Sequence, residues 1–127
     1  MTGATMALSL VLPVLRREAE RRRLARSGAD VSLVDLTVTL NRPASADDVN
    51  QALREAAATG LRDVLAVCDE ELVSSDFLHD SHSAIVDAPL TMAIGDRTVK
   101  VMAWYDNEWG YSCRLLDLVQ LVRRDAS

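Results

Sequence analysis

Apolar residues recur along the chain in two rhythms, one at every third or fourth position and one at every second, and the alternation between the two divides it into elements. From Thr5 to about Arg23 the composition is Leu, Ala, Arg and Glu, with Met6, Leu8, Leu10, Val11 and Val14 as the apolar set, which predicts a helix. Its second half carries Arg16, Arg17, Arg21, Arg22, Arg23 and Arg26 against Glu18 and Glu20, a positive face that is either solvated or an anion site. Ser27 to Asp30 breaks the pattern. Val31 to Leu40 is β-branched and nearly alternating, the pattern of a strand with one buried face. Ser45 is placed as an N-cap, with Asp47 and Asp48 in the first turn and Val49, Ala52, Leu53 and Ala56 at helical spacing up to a stop at Gly60. Leu61 to Val67 predicts a short strand, and Leu72 to Phe77 and Ser83 to Ala88 shorter ones. Leu90 to Ile94 and Arg97 to Tyr105 flank Gly95 and Asp96, a pair suited to a two-residue hairpin turn, so the second half reads as an antiparallel meander. The last element is a helix from about Trp109 to Val122 whose apolar residues leave a narrow polar stripe through Arg114, Asp117, Gln120 and Arg124. Such a helix needs neighbours on more than one side.

The whole is expected to be one α+β domain over residues 1–127, an antiparallel or mixed sheet with helices on one face. With 127 residues, 49% apolar and 26% charged types, the chain can bury roughly two thirds of its unfolded surface. It is too short for a two-domain enzyme. A net charge of −5 argues against a general affinity for nucleic acid or an anionic membrane. No apolar run approaches the roughly 18 residues of a membrane span, and the first fifteen residues lack a basic leader and contain Pro13. A cytoplasmic protein is expected, with Cys68 and Cys113 as free thiols.

Candidate chemistry is sparse. His79 and His82 flank Asp80 but lack an evident third metal ligand, so no metal site is expected. Cys113 reads as a packing thiol. Cys68 precedes Asp69, Glu70 and Glu71, whose charge opposes thiolate formation. No glycine-rich dinucleotide or phosphate loop and no nucleophile elbow occurs. One concentration stands out: of five aromatic residues, Trp104, Tyr105, Trp109 and Tyr111 lie in one short segment. Within it Asn107 offers an amide donor and acceptor at a strand-to-helix junction, fit either to cap the local backbone or to meet a ligand carboxamide.

The run Trp104-Tyr105-Asp106-Asn107-Glu108-Trp109-Gly110-Tyr111-Ser112 resembles the C-terminal signature of phosphorylating glyceraldehyde-3-phosphate dehydrogenase. Val31 to Leu36, Leu72 to Phe77 and His82 to Asp87 are similar to further stretches of that family, in the same order. The resemblance runs from Thr2 to about Val122. It implies that Asn107 matches the asparagine that hydrogen-bonds the nicotinamide carboxamide of NAD, and Tyr111 the tyrosine packed near that ring. It also implies that Thr2 and Gly3 lie beside a phosphate site. The family's phosphate-binding arginine falls on Ala25, with Arg26 one position away.

The family's nucleotide-binding domain, nucleophilic cysteine and activating histidine have no counterpart in these residues, and the covalent route needs that thiolate and a bound NAD. The expectation is therefore a truncated, dehydrogenase-like catalytic domain with no catalytic residues of its own, inactive alone and without tight NAD binding. A last helix left without its partner surface implies self-association into homo-oligomers. Two alternatives remain, a module that docks onto complete dehydrogenase subunits and an enzyme completed by a second chain.

Overall fold

The computed structural model describes residues 20–22 and 31–125. Six strands form one sheet: β1 (Glu20–Arg22), β2 (Val31–Thr39), β3 (Leu65–Cys68), β4 (Ala84–Asp87), β5 (Met92–Ile94) and β6 (Thr98–Asp106). Among the described residues the α-helices are α1 (Ala46–Ala58) and α2 (Asn107–Asp125). The spatial order is β1-β2-β6-β4-β3, with β5 also paired to β6. The long central pair is β2 with β6, antiparallel from Val31 opposite Asp106 to Thr39 opposite Thr98.

Alternation on these strands builds two faces. Leu36, Val38, Val99, Val101, Ala103, Leu65, Ala84 and Val86 form the main core with Val49 and Leu53 of α1. On the opposite face Val31, Phe77 and Ile85 cluster with Ala66, Leu72 and Trp104. The fold is the α+β arrangement that the sequence predicts, with a mixed sheet. α1 begins where expected: the Ser45 hydroxyl accepts from the Asp48 amide at 3.1 Å and the Asp48 carboxylate accepts from the Ser45 amide at 2.9 Å. The Ser45 amide, then its hydroxyl, hold the Asp48 carboxyl below its usual pKa. Buried Asn50 donates to the Ala88 carbonyl at 3.1 Å and accepts from the Thr91 hydroxyl at 2.8 Å, which ties α1 to the segment between β4 and β5.

Five expectations need correction. The predicted first helix does not extend to Arg23, because Glu20–Arg22 pair as a strand with Thr37, Leu36 and Asp35; ladder bonds to β2 outweigh local helix propensity there. The rest of that predicted helix lies outside the described residues. Leu72 to Phe77 is no strand: Ser74–Phe77 form a 3₁₀ turn, since the Asp76 carboxylate takes the Val73 amide at 2.9 Å and offers the backbone a local alternative to pairing. The predicted strand from Leu61 starts only at Leu65, because Leu61–Val64 fold back on the end of α1 and Asp63 adopts φ 65°. β3 runs parallel to β4, so the second half is not a pure meander. The β5–β6 hairpin uses three residues, Gly95 at φ 66°, Asp96 and Arg97, rather than two. The carbonyls of Arg97 and Asp96 accept from the amides of Leu40 and Ala44, which fixes the longer loop against the chain beyond β2.

Candidate functional site

The aromatic segment lies at the junction of β6 and α2, and its geometry is set by Asp106. This last residue of β6 is 3% exposed. One carboxylate oxygen accepts from the Trp109 amide at 3.0 Å, three residues into the turn, which makes Asp106 the N-cap of α2. The other accepts from the His79 amide at 3.0 Å and draws the preceding loop onto the junction. Burial alone would push this carboxyl up, but the amides of Trp109, His79 and Glu108 together hold its pKa below the ordinary value. The sequence reading weighed Asn107 as the cap. The structure gives that role to its neighbour and leaves Asn107 exposed as the first residue of the helix.

The loop before β4 closes over the first turn. His79, at φ 60°, lays its ring against Trp109 with centroids 4.7 Å apart. His82 binds Asp80 through Nδ1 at 2.7 Å. Gly110 approaches the His82 carbonyl so closely that a Cβ there would lie 3.0 Å from the oxygen. Both histidines are thus committed to local contacts, and among the described residues no group of three His, Cys, Asp or Glu side chains is placed to hold a metal ion. Behind the junction Trp104 stacks on Phe77 at 5.4 Å and donates its indole N–H to Asp87 at 3.0 Å.

Trp104 and Trp109 are therefore packed against neighbouring rings, and among the exposed side chains at the start of α2 are Asn107 and Tyr111. They stand one helical turn apart, which puts them on one face, and both are exposed. Cys113 is half-buried, as is Cys68, whose thiol points to the Glu70 carbonyl at 3.5 Å; both are free. Thr2, Gly3 and Arg26 lie outside the described residues. Sequence reasoning passed over Asp106, although an aspartate immediately before a helical pattern is itself an N-cap signal. It also passed over Asp87 and Asn50, whose pairing depends on residues distant in sequence.

Comparison with known proteins gives this junction its context. A sequence model of the glyceraldehyde 3-phosphate dehydrogenase C-terminal domain matches residues 1–107. The chain belongs to that family. It is 50% identical over 121 residues to glyceraldehyde-3-phosphate dehydrogenase 2 of Bacillus subtilis, a match covering 95% of this chain and 36% of that protein. It is 49% identical to the chloroplastic glyceraldehyde-3-phosphate dehydrogenase A of Zea mays, over 94% of this chain and 30% of the relative. With the cytosolic glyceraldehyde-3-phosphate dehydrogenase 3 of Oryza sativa the identity is 45%, over 94% and 35%. The chain thus spans about a third of the length of the curated relatives it matches. The mixed sheet and α1 are the scaffold of a glyceraldehyde-3-phosphate dehydrogenase C-terminal domain. Among the described residues no helix is long and apolar enough to cross a membrane.

Proposed function

We propose that this chain forms the nicotinamide-side portion of a glyceraldehyde-3-phosphate dehydrogenase catalytic domain and that these 127 residues carry out no oxidation of triose phosphate by themselves. The observation that supports the reading best is the junction itself: a buried, charged cap fixes the start of α2 so that Asn107 and Tyr111 face outward one turn apart. The primary amide of Asn107 has the donor and acceptor that a nicotinamide carboxamide requires, and Tyr111 supplies an aromatic surface beside it. NAD, when bound, would accept the hydride. Asn107 orients its ring and Tyr111 limits water access to it. Thr2, Gly3 and Arg26 are the residues assigned to phosphate.

The cysteines present do not supply the family's covalent chemistry. Oxidation through a covalent thiohemiacetal needs a thiolate with a base beside it. Among the described residues neither Cys68 nor Cys113 is hydrogen-bonded to a histidine, and Cys68 is followed by three carboxylates. A single amide and ring also cannot replace the contacts that hold an adenosine and a pyrophosphate. Calorimetric titration of the purified chain with NAD to millimolar concentration is expected to give no saturable heat. NMR titration with nicotinamide mononucleotide should perturb resonances confined to Asn107, Tyr111 and their neighbours, and Asn107→Ala should abolish the effect. Tight NAD binding, or perturbations elsewhere only, would refute the assignment.

A second reading concerns partners. The exposed apolar side chains of α2 favour association, either with further copies of this chain or with complete dehydrogenase subunits. Mixing the purified chain with a full-length relative and measuring mass by light scattering distinguishes the two.

A further inference from the structure

We propose that His79 is a pH-responsive clamp on the first turn of α2: when its ring takes up a proton from solvent, its contacts with Trp109 and Asp106 tighten and the turn that carries Asn107 is steadied. The consequence for nicotinamide rests on the reading of Asn107 as the nicotinamide contact; the clamp itself does not. His79 occupies φ 60°, a left-handed conformation that glycine would hold without a Cβ penalty. What the histidine adds there is a ring, whose centroid lies 4.7 Å from that of Trp109 with the planes tilted by 40°. Its amide donates to the Asp106 carboxylate at 3.0 Å, and the same carboxylate accepts from the Trp109 amide. One loop residue thus meets the cap of α2 through its backbone and the first turn through its side chain, and the side chain is the part that can change charge.

The surrounding charges decide the direction of the effect. A neutral imidazole meets an indole chiefly through dispersion, whereas an imidazolium is also drawn to the indole ring and to a neighbouring carboxylate. Burial raises the Asp106 pKa and the amides of Trp109, His79 and Glu108 lower it, with a net value below the ordinary one, so Asp106 stays ionised wherever histidine titrates. β6 contributes that carboxylate, and the first turn of α2 contributes Glu108. In the loop itself Asp80 is bound to His82 through Nδ1, so a charge on His82 is compensated in place. Arg114, the cation on the next turn of α2, is paired with Asp117 and donates to the Asp63 carbonyl. The positive end of the α2 dipole opposes an imidazolium, but the amides of Glu108 and Trp109 at that end are already taken by Asp106. His79 is exposed, so the proton reaches its ring directly from bulk water.

An NMR pH titration of the full chain tests this. Between about pH 8 and pH 5, the range in which histidine changes charge, the Trp109 indole N–H is expected to shift with the same midpoint as the His79 ring protons. Over that range the protection of the Glu108 and Trp109 amides should rise about two- to fivefold, the scale of an exposed cation–π contact. His79→Gly, which keeps the positive φ and the amide donated to Asp106, should abolish both changes, and His82→Asn should leave both intact. A Trp109 resonance that is indifferent to pH, or that follows His82, would overturn the clamp. The perturbation of Asn107 by nicotinamide mononucleotide should strengthen by a similar factor as the pH falls, and equal perturbation across the range would overturn the link from clamp to site. No perturbation at any pH, with His79 and Trp109 still titrating together, would overturn the nicotinamide reading and support the clamp.

Discussion

The two α-helices among the described residues reverse what their sequences would suggest. α1 contains only a few large apolar residues, yet Leu53 is fully buried and Val49 nearly so, packed against four strands of the sheet. α2 is longer and far richer in Leu and Val, yet Gly110 is its only buried residue. Leu115, Leu116, Leu118, Val119, Leu121 and Val122 all face solvent. Burial follows the presence of a complementary surface, not apolar content. α1 finds that surface within the domain. α2 is held by its first turn and by Arg114, and its apolar side chains meet no complementary surface among the described residues.

Substitutions at four positions sharpen this contrast. The largest effect is expected at Leu53→Ala, which opens a cavity between α1 and the sheet and should cost about 2–5 kcal/mol in denaturant unfolding. If the loss were small, α1 would not be the organising helix. Asp106→Ala removes the cap of α2 and the tether to His79 and should cost about 1–3 kcal/mol, read from the melting temperature and from Trp109 fluorescence.

The same carboxylate predicts a pH dependence. Its folded pKa is lowered, so the unfolded chain binds the proton more readily. The stabilisation is complete above the ordinary carboxylate value and is lost as pH falls through the lowered one. Asp106→Asn should flatten that acidic limb of a melting-temperature profile, and an unaltered limb would show that other carboxylates govern it.

Smaller still is Asp63→Gly. Asp63 occupies the left-handed region at φ 65°, where glycine carries no Cβ penalty, and the carbonyl that receives Arg114 is retained. A gain below about 1 kcal/mol is expected in the melting temperature. Leu116→Gln should change the stability of the dilute chain by no more than about 0.5 kcal/mol, in contrast to Leu53→Ala. A large loss at Leu116 would mean that α2 is packed after all.

What could be read from the sequence follows the range of the forces involved. β2, α1 and β6 declare themselves because a single periodicity runs through each, and Ser45 with Asp48 marks a helix start within four residues. The junction at Asp106 was half legible: the aromatic cluster located it, but the cap was weighed one residue too late, since Asp and Asn are both good caps and only the fold shows which carboxylate is buried. Glu20–Arg22 misled because helix propensity is local whereas pairing with Asp35–Thr37 is not. The 3₁₀ turn at Ser74–Phe77 misled for the opposite reason, a local Asp76 bond overriding a strand-like composition. Asn50, Asp87 and Lys100 carry no local sequence signal of their roles. Their partners Ala88, Trp104 and Asp35 lie far along the chain, so only the completed sheet satisfies them.

The measurement that bears most directly on the account is an assay of the purified chain, verified by mass to be free of larger subunits, with glyceraldehyde 3-phosphate, inorganic phosphate and NAD. The account predicts no NADH formation above the buffer rate at any chain concentration. A saturable rate that rises in proportion to this chain, and that survives repeated purification, would contradict it.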